Sequence, residues 1–114
     1  MAADPVIPFP SLSCEKQEEG DKVTVLCTGR VVSETVPVLQ REVRPLIERF
    51  KTIVLDLTNV SYMDSSGLGA LVGLFVSAKR AGKQLKLVNL SARIQELLRL
   101  TSLLNVFEGY GEHL

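Results

Sequence analysis

The chain has 114 residues, 46% hydrophobic and 23% charged, and its 13 Lys+Arg balance 13 Asp+Glu to a formal net charge of zero. That length suits one domain with a real core and is too short for two. The charge balance argues against a nucleic-acid or membrane-surface binder, which needs a basic excess.

Met1-Ala2-Ala3-Asp4-Pro5 has no basic segment leading into an apolar run, so no secretory signal is read there. The longest uncharged run, residues 65–78, falls short of the ~20 apolar residues of a membrane span. A cytoplasmic protein without membrane insertion is expected. Cys14 and Cys27 fit no metal or redox spacing and are expected to be free, inert thiols.

Residues 1–10 carry Pro5, Pro8 and Pro10 and read as a flexible lead-in. Residues 12–17 suit an edge strand, and Glu18-Glu19-Gly20-Asp21 a turn. Residues 23–28 alternate Val23, Val25 and Cys27 with Thr24 and Thr28, the pattern of a strand with one buried face, ended by Gly29. Ser33-Glu34-Thr35 opens a helix with Pro37 in its first turn. Its stripe is Val36, Leu39, Val43, Leu46, Ile47 and Phe50. Pro45 lies within that stripe and is expected to kink the helix, at a typical interior cost of about 3 kcal/mol.

Residues 52–57 form an apolar run of central-strand type. After Asp64-Ser65-Ser66-Gly67, a helix is predicted over 66–81, stopped by Gly82. A strand over 85–88 follows, then a helix capped by Ser91 with Ile94, Leu97, Leu98 and Thr101 on one face. Asn105-Val106-Phe107 is at most a short last strand. Helices between successive strands favour parallel neighbours. The expectation is an α/β fold, a mixed four- to five-stranded sheet with three to four helices. Sites on such sheets gather at the carboxyl ends of parallel strands. Asp64-Ser65-Ser66 and Asn89-Leu90-Ser91 are expected to emerge together at that edge.

The glycines Gly67, Gly69 and Gly73 miss the G-x-G-x-x-G spacing by one position, so they do not read as a nucleotide loop. G-x-S-x-G is absent, and the one histidine, His113, lies beside the C-terminus. Ser65 therefore has no general base, and the chain is expected to be neither an enzyme nor a cofactor or metal carrier.

The helix after Ser65 places Leu68, Leu71, Val72 and Phe75 on one face, expected to pack on the sheet. The other face carries Ala70, Gly73 and Ser77, flanked by Leu74 and Val76, with no charge before Lys79. Small residues there serve either close packing inside the domain or a flat docking face for a partner. Ser65 likewise is either a helix cap or a regulatory hydroxyl. A phosphate on it would add about −1.5 to −2 charges, at a helix terminus that tolerates anions.

Val54-Leu55-Asp56-Leu57, Val60-Ser61-Tyr62-Met63-Asp64-Ser65-Ser66-Gly67-Leu68-Gly69 and Leu85-Lys86-Leu87-Val88-Asn89 resemble the STAS domain of bacterial anti-anti-sigma factors, the anti-sigma factor antagonists. The resemblance runs from about Val23 to Phe107 and implies a STAS domain over residues 11–110 with a tail at 111–114. It implies binding to an anti-sigma factor that is a serine kinase, phosphorylation of Ser65 with ATP used by that kinase, and reversal by a serine phosphatase. Asp64, Ser66, Gly67 and Asp56 would surround the phosphorylated serine. Gly69, Ala70, Gly73, Leu74, Val76, Ser77, Asn89 and Ser91 would meet the partner, and the protein would be a monomer or weak dimer. Many relatives read Gly-Glu-Leu-Asp where this chain has Gly29-Arg30-Val31-Val32, so Val32 supplies no carboxylate there. The alternative is a constitutive STAS accessory subunit of a lipid transporter or signalling assembly, without phosphorylation control.

Overall fold

Alternating apolar residues on neighbouring strands give the sheet one dry face. The computed structural model describes residues 11–101. It contains β1 (Leu12–Glu19), β2 (Lys22–Val31), α1 (Val36–Arg49), β3 (Thr52–Met63), α2 (Ser65–Arg80), β4 (Gln84–Val88) and α3 (Ala92–Leu100). The strands lie in the order β1-β2-β3-β4, with β1 antiparallel to β2 and the pairs β2·β3 and β3·β4 parallel. This is the mixed α/β sheet that the helix-separated strands require. The expected lead-in, the 105–107 strand and the 111–114 tail lie outside the described residues.

Val23, Val25 and Cys27 of β2, Ile53, Leu55 and Leu57 of β3, and Leu85 and Leu87 of β4 point into a single core. Onto it α1 sets Leu39, Val43, Leu46 and Ile47, α2 sets Leu68, Leu71, Leu74, Phe75 and Ala78, and α3 sets Ile94 and Leu98. Full burial of an aliphatic side chain is worth about 1.5–3 kcal/mol, so this face carries most of the fold's stability. The other sheet face presents Thr24, Leu26, Asp56, Lys86 and Val88, all half-buried.

Several boundaries differ from the sequence expectation. Strand β2 passes Gly29 and ends at Val31, and β3 passes Leu57 and ends at Met63. The two extensions pair with each other through register shifts at Leu26/Thr28 and Gly29/Arg30. At Gly29 φ is +126, and an added Cβ would stand 2.1 Å from the Ser11 carbonyl oxygen. The glycine thus permits a bulge where a strand end was expected. Ser33-Glu34-Thr35 lies in a turn ahead of α1. Thr35, 3% exposed, donates through Oγ1 to the Arg30 carbonyl at 2.7 Å and accepts from the Val32 N–H at 3.0 Å.

Helix α1 runs through Pro45 without interruption. Pro45 is exposed, so its ring adds nothing to the core while its missing N–H leaves the Arg41 carbonyl without a helical donor. Replacing it should recover part of the interior-proline cost. Pro45→Ala is expected to raise unfolding stability by about 1–3 kcal/mol in a urea titration; an unchanged or lower midpoint would contradict this.

Candidate functional site

The strand-to-helix corner is assembled by β2 as much as by its own residues. The Asp64 N–H donates to the Val31 carbonyl at 3.2 Å. The same oxygen would lie 2.1 Å from a Cβ on Gly67, so only glycine lets the first turn of α2 approach β2 this closely. Asp64 is the N-cap, in an extended conformation, and its Oδ1 accepts from the Gly67 N–H at 2.9 Å. Its carbonyl accepts from the Leu68 N–H at 3.0 Å.

Ser65 is consequently the first residue of the helix and not its cap. Its side chain is exposed, and its hydroxyl bonds to no other described residue. Ser66, also exposed, follows it. At these first positions the Ser65 and Ser66 N–H groups have no intrahelical acceptor, which makes the terminus receptive to an anion.

From Ser65 the free face of α2 continues through Gly69, Val72, Gly73 and Val76. Gly69 is exposed, Val72 and Gly73 are half-buried, and Val76 is 43% exposed. Among the described residues a Cβ at Gly69 or Gly73 would meet nothing within 4 Å, so close packing among them does not explain these two glycines. Part of the expected docking face is corrected. Ala70 (8% exposed) and Leu74 (0%) are in the core and offer no side chain to a partner. Ser77 accepts from Arg44 Nη1 at 3.1 Å and so faces α1. Val72, expected in the core, belongs to the rim of the free face.

Asp56, with Asn89 bonded to it, does not lie beside Ser65. Asp56 is level with Val88 in the sheet, and β3 runs on to Met63, seven residues further. At about 3.3 Å per residue that is roughly 20 Å of strand. Asp56 Oδ1 instead accepts from the Thr58 hydroxyl at 2.6 Å, the Thr58 N–H at 3.0 Å and Asn89 Nδ2 at 3.1 Å. Partial burial pushes its carboxyl up, but these three donors outweigh it and hold the group below its ordinary value. Asn89, at φ 59, closes β4, and Ser91 caps α3 by accepting from the Ile94 N–H at 3.2 Å. All three have local structural work.

Sequence reasoning missed the surroundings of Tyr62, three residues before Ser65. The guanidinium groups of Arg30 and Arg93 lie 5.7 and 5.9 Å from its ring centroid. Tyr62 and Arg93 also line, with Met63, Ile94, Leu97 and Leu100, an open groove of about 260 Å³ between the end of β3 and α3. An aromatic in a strand with distant arginines leaves no local signal of such stacking. Among the described residues there is no group of three or more His, Cys, Asp or Glu that could hold a metal, and no helix is long and apolar enough to cross a membrane.

A mixed sheet with its helices on the dry face, and a glycine-clamped Asp-Ser-Ser corner at the end of β3, defines the class of protein. The STAS domain model matches residues 13–113, and the chain belongs to the STAS domain family. Over 93 residues it is 40% identical to the anti-sigma-B factor antagonist of Bacillus subtilis, covering 82% of this chain and 84% of that protein. Its fold is similar to an anti-sigma factor antagonist from Mycobacterium paratuberculosis (TM-score 0.72, 18% identity, 90% of this chain and 86% of that one). It is also similar to the Bacillus cell fate determinant SpoIIAA in its phosphorylated form (TM-score 0.68, 18% identity, 89% of each chain).

The glycines of α2 divide by role, and stability measurements separate them. Gly67→Ala is expected to cost at least about 2 kcal/mol, since backbone must move to admit the methyl group. Gly69→Ala and Gly73→Ala are each expected to stabilise by roughly 0.5–1 kcal/mol through helix propensity alone. Equal effects at the three positions in urea unfolding would contradict this assignment.

Proposed function

We propose that the chain is an anti-sigma factor antagonist that acts by partner switching. The unphosphorylated form binds an anti-sigma factor of the serine-kinase type, and phosphorylation of Ser65 releases it. The observation that carries this reading is the division of labour at the corner. Asp64 caps α2, which leaves Ser65 an exposed hydroxyl with no structural duty. The similarity to an anti-sigma-B factor antagonist supports the choice of partner.

The kinase would move the γ-phosphoryl of ATP to Ser65 Oγ. The added charge of about −1.5 to −2 meets the unpaired N–H groups and positive dipole end of α2, while Asp64 repels it. Because Asp64 already bonds Gly67, capping does not depend on the Ser65 hydroxyl and the fold tolerates the change. The switch then acts on the surface that continues from Ser65 through Gly69, Gly73 and Val76. Flat glycine positions let a partner's side chains approach the helix backbone, and a doubly charged group at the edge of that contact must be desolvated for the partner to seat. In this reading the chain is a binding protein of the cytoplasm, without catalysis or a cofactor of its own, and a serine phosphatase restores the binding form.

Incubation with the cognate kinase-type anti-sigma factor and ATP, followed by intact mass, tests the proposal. One phosphoryl group is expected on the wild type and none on Ser65→Ala. Ser65→Asp is expected to lose at least about tenfold in partner affinity, about 1.4 kcal/mol. An equal mass gain in Ser65→Ala, or Ser65→Asp binding as tightly as wild type, would sink it.

A further inference from the structure

Cys14 and Cys27 are 13 residues apart in sequence and directly opposed in the β1·β2 ladder, Cα partner to Cα partner. The ladder's hydrogen-bond phase follows from one contact, the Arg30 N–H donating to the Ser11 carbonyl at 2.9 Å. Opposed pairs in an antiparallel ladder alternate between bonded and non-bonded. Leu12·Gly29, Ser13·Thr28 and Cys14·Cys27 follow Ser11·Arg30 in unbroken register, so Cys14·Cys27 is a non-bonded pair. At such pairs the Cα atoms are about 4.5 Å apart and the side chains closest, inside the roughly 4.4–6.8 Å range that a disulfide spans. Both side chains are on the core face. Cys27 is fully buried and Cys14, half-buried, packs against the same cluster.

We propose that Cys14 and Cys27 are a modification site, a dithiol that hydrogen peroxide converts reversibly to a disulfide across β1 and β2. Cys14 is the attacking sulfur because a small oxidant can reach it and not Cys27. The Cys27 thiol has two acceptors in reach, the Val25 carbonyl at 3.9 Å and the Cys14 sulfur. Its hydrogen bond to Cys14 favours the Cys14 thiolate and outweighs burial and Glu42, with Lys16 and Arg41 adding to the effect.

The Cys14 thiolate attacks one peroxide oxygen, the O–O bond breaks, and the departing hydroxide takes up a proton as water, leaving a sulfenic acid. Cys27 sulfur then attacks Cys14 sulfur; the S–S bond forms, the S–O bond breaks, and hydroxide leaves with the Cys27 proton as a second water. Two thiols and one peroxide give one disulfide and two waters, the sulfurs losing the two electrons the peroxide gains. The bond would tie an edge strand to its neighbour, and β1 has no other strand beside it among the described residues. A cytosolic dithiol would return the pair to its thiols.

The test is peroxide treatment of the full reduced chain, with acid quench, denaturation, alkylation and intact mass. The wild type is expected to lose both alkylatable thiols and two hydrogens, to recover both thiols with dithiothreitol, and to react faster when folded than in urea. Cys14→Ser is expected to keep its single thiol through the same treatment. Both thiols surviving in the folded wild type would overturn the proposal. So would a higher oxide on Cys14 beside an alkylatable Cys27, or cross-linking no faster than in the unfolded chain.

Discussion

One backbone oxygen, the carbonyl of Val31 at the end of β2, organises the corner on which the rest of the account depends. It receives the Asp64 N–H at 3.2 Å and lies 2.1 Å from where a Cβ of residue 67 would be. The last residue before α2 and the third residue within it are therefore both held against β2. Thr35 secures the chain just past that oxygen from the other side, bonding the Arg30 carbonyl and the Val32 N–H. A bulged β2, a buried threonine and a glycine in the first helical turn are three parts of one clamp. The clamp fixes the direction in which α2 leaves the sheet.

That rigidity leaves the first hydroxyl of the helix free of any part in holding the corner. A serine at the N-cap of a helix accepts a backbone N–H and is tied down by doing so. Here the carboxylate of Asp64 takes that task one residue earlier. Ser65 is left at an anion-receptive position with its side chain in solvent, at one end of a face whose glycines packing among the described residues does not require. Because the cap is on Asp64, a charge can be added at Ser65 without withdrawing a bond that holds the fold.

The order of elements and the core were legible in the sequence because periodicity survives in the packed state. Leu39, Val43, Leu46 and Ile47 at helical spacing, and Val23, Val25 and Cys27 at strand spacing, are buried as their patterns imply. The corner's position was legible too, from Asp64-Ser65-Ser66-Gly67. What was not legible depends on contacts between distant segments. Gly29 and Gly67 look like a strand stop and a helix-start glycine, but each admits a carbonyl from elsewhere in the chain, Ser11 and Val31. Ala70 and Leu74 sit where a helical projection centred on Val72 leaves them outside, while α1 and the sheet together bury a wider arc. Asp56 was expected near Ser65, but β3 runs on to Met63 and carries the corner away from it. The cross-strand cysteines show no spacing motif, since register and hydrogen-bond phase bring them together.

The central claim is that a phosphate at Ser65 changes what the α2 face binds and leaves the clamp intact. Backbone amide spectra of the phosphorylated and unphosphorylated chain, each titrated with the anti-sigma partner, test it most directly. On phosphorylation, shift changes confined to Ser65 through Gly73 are expected, with Val31, Thr35 and the core strands unmoved and binding lost. Unchanged partner binding, or shifts spreading through β2 and β3, would contradict it.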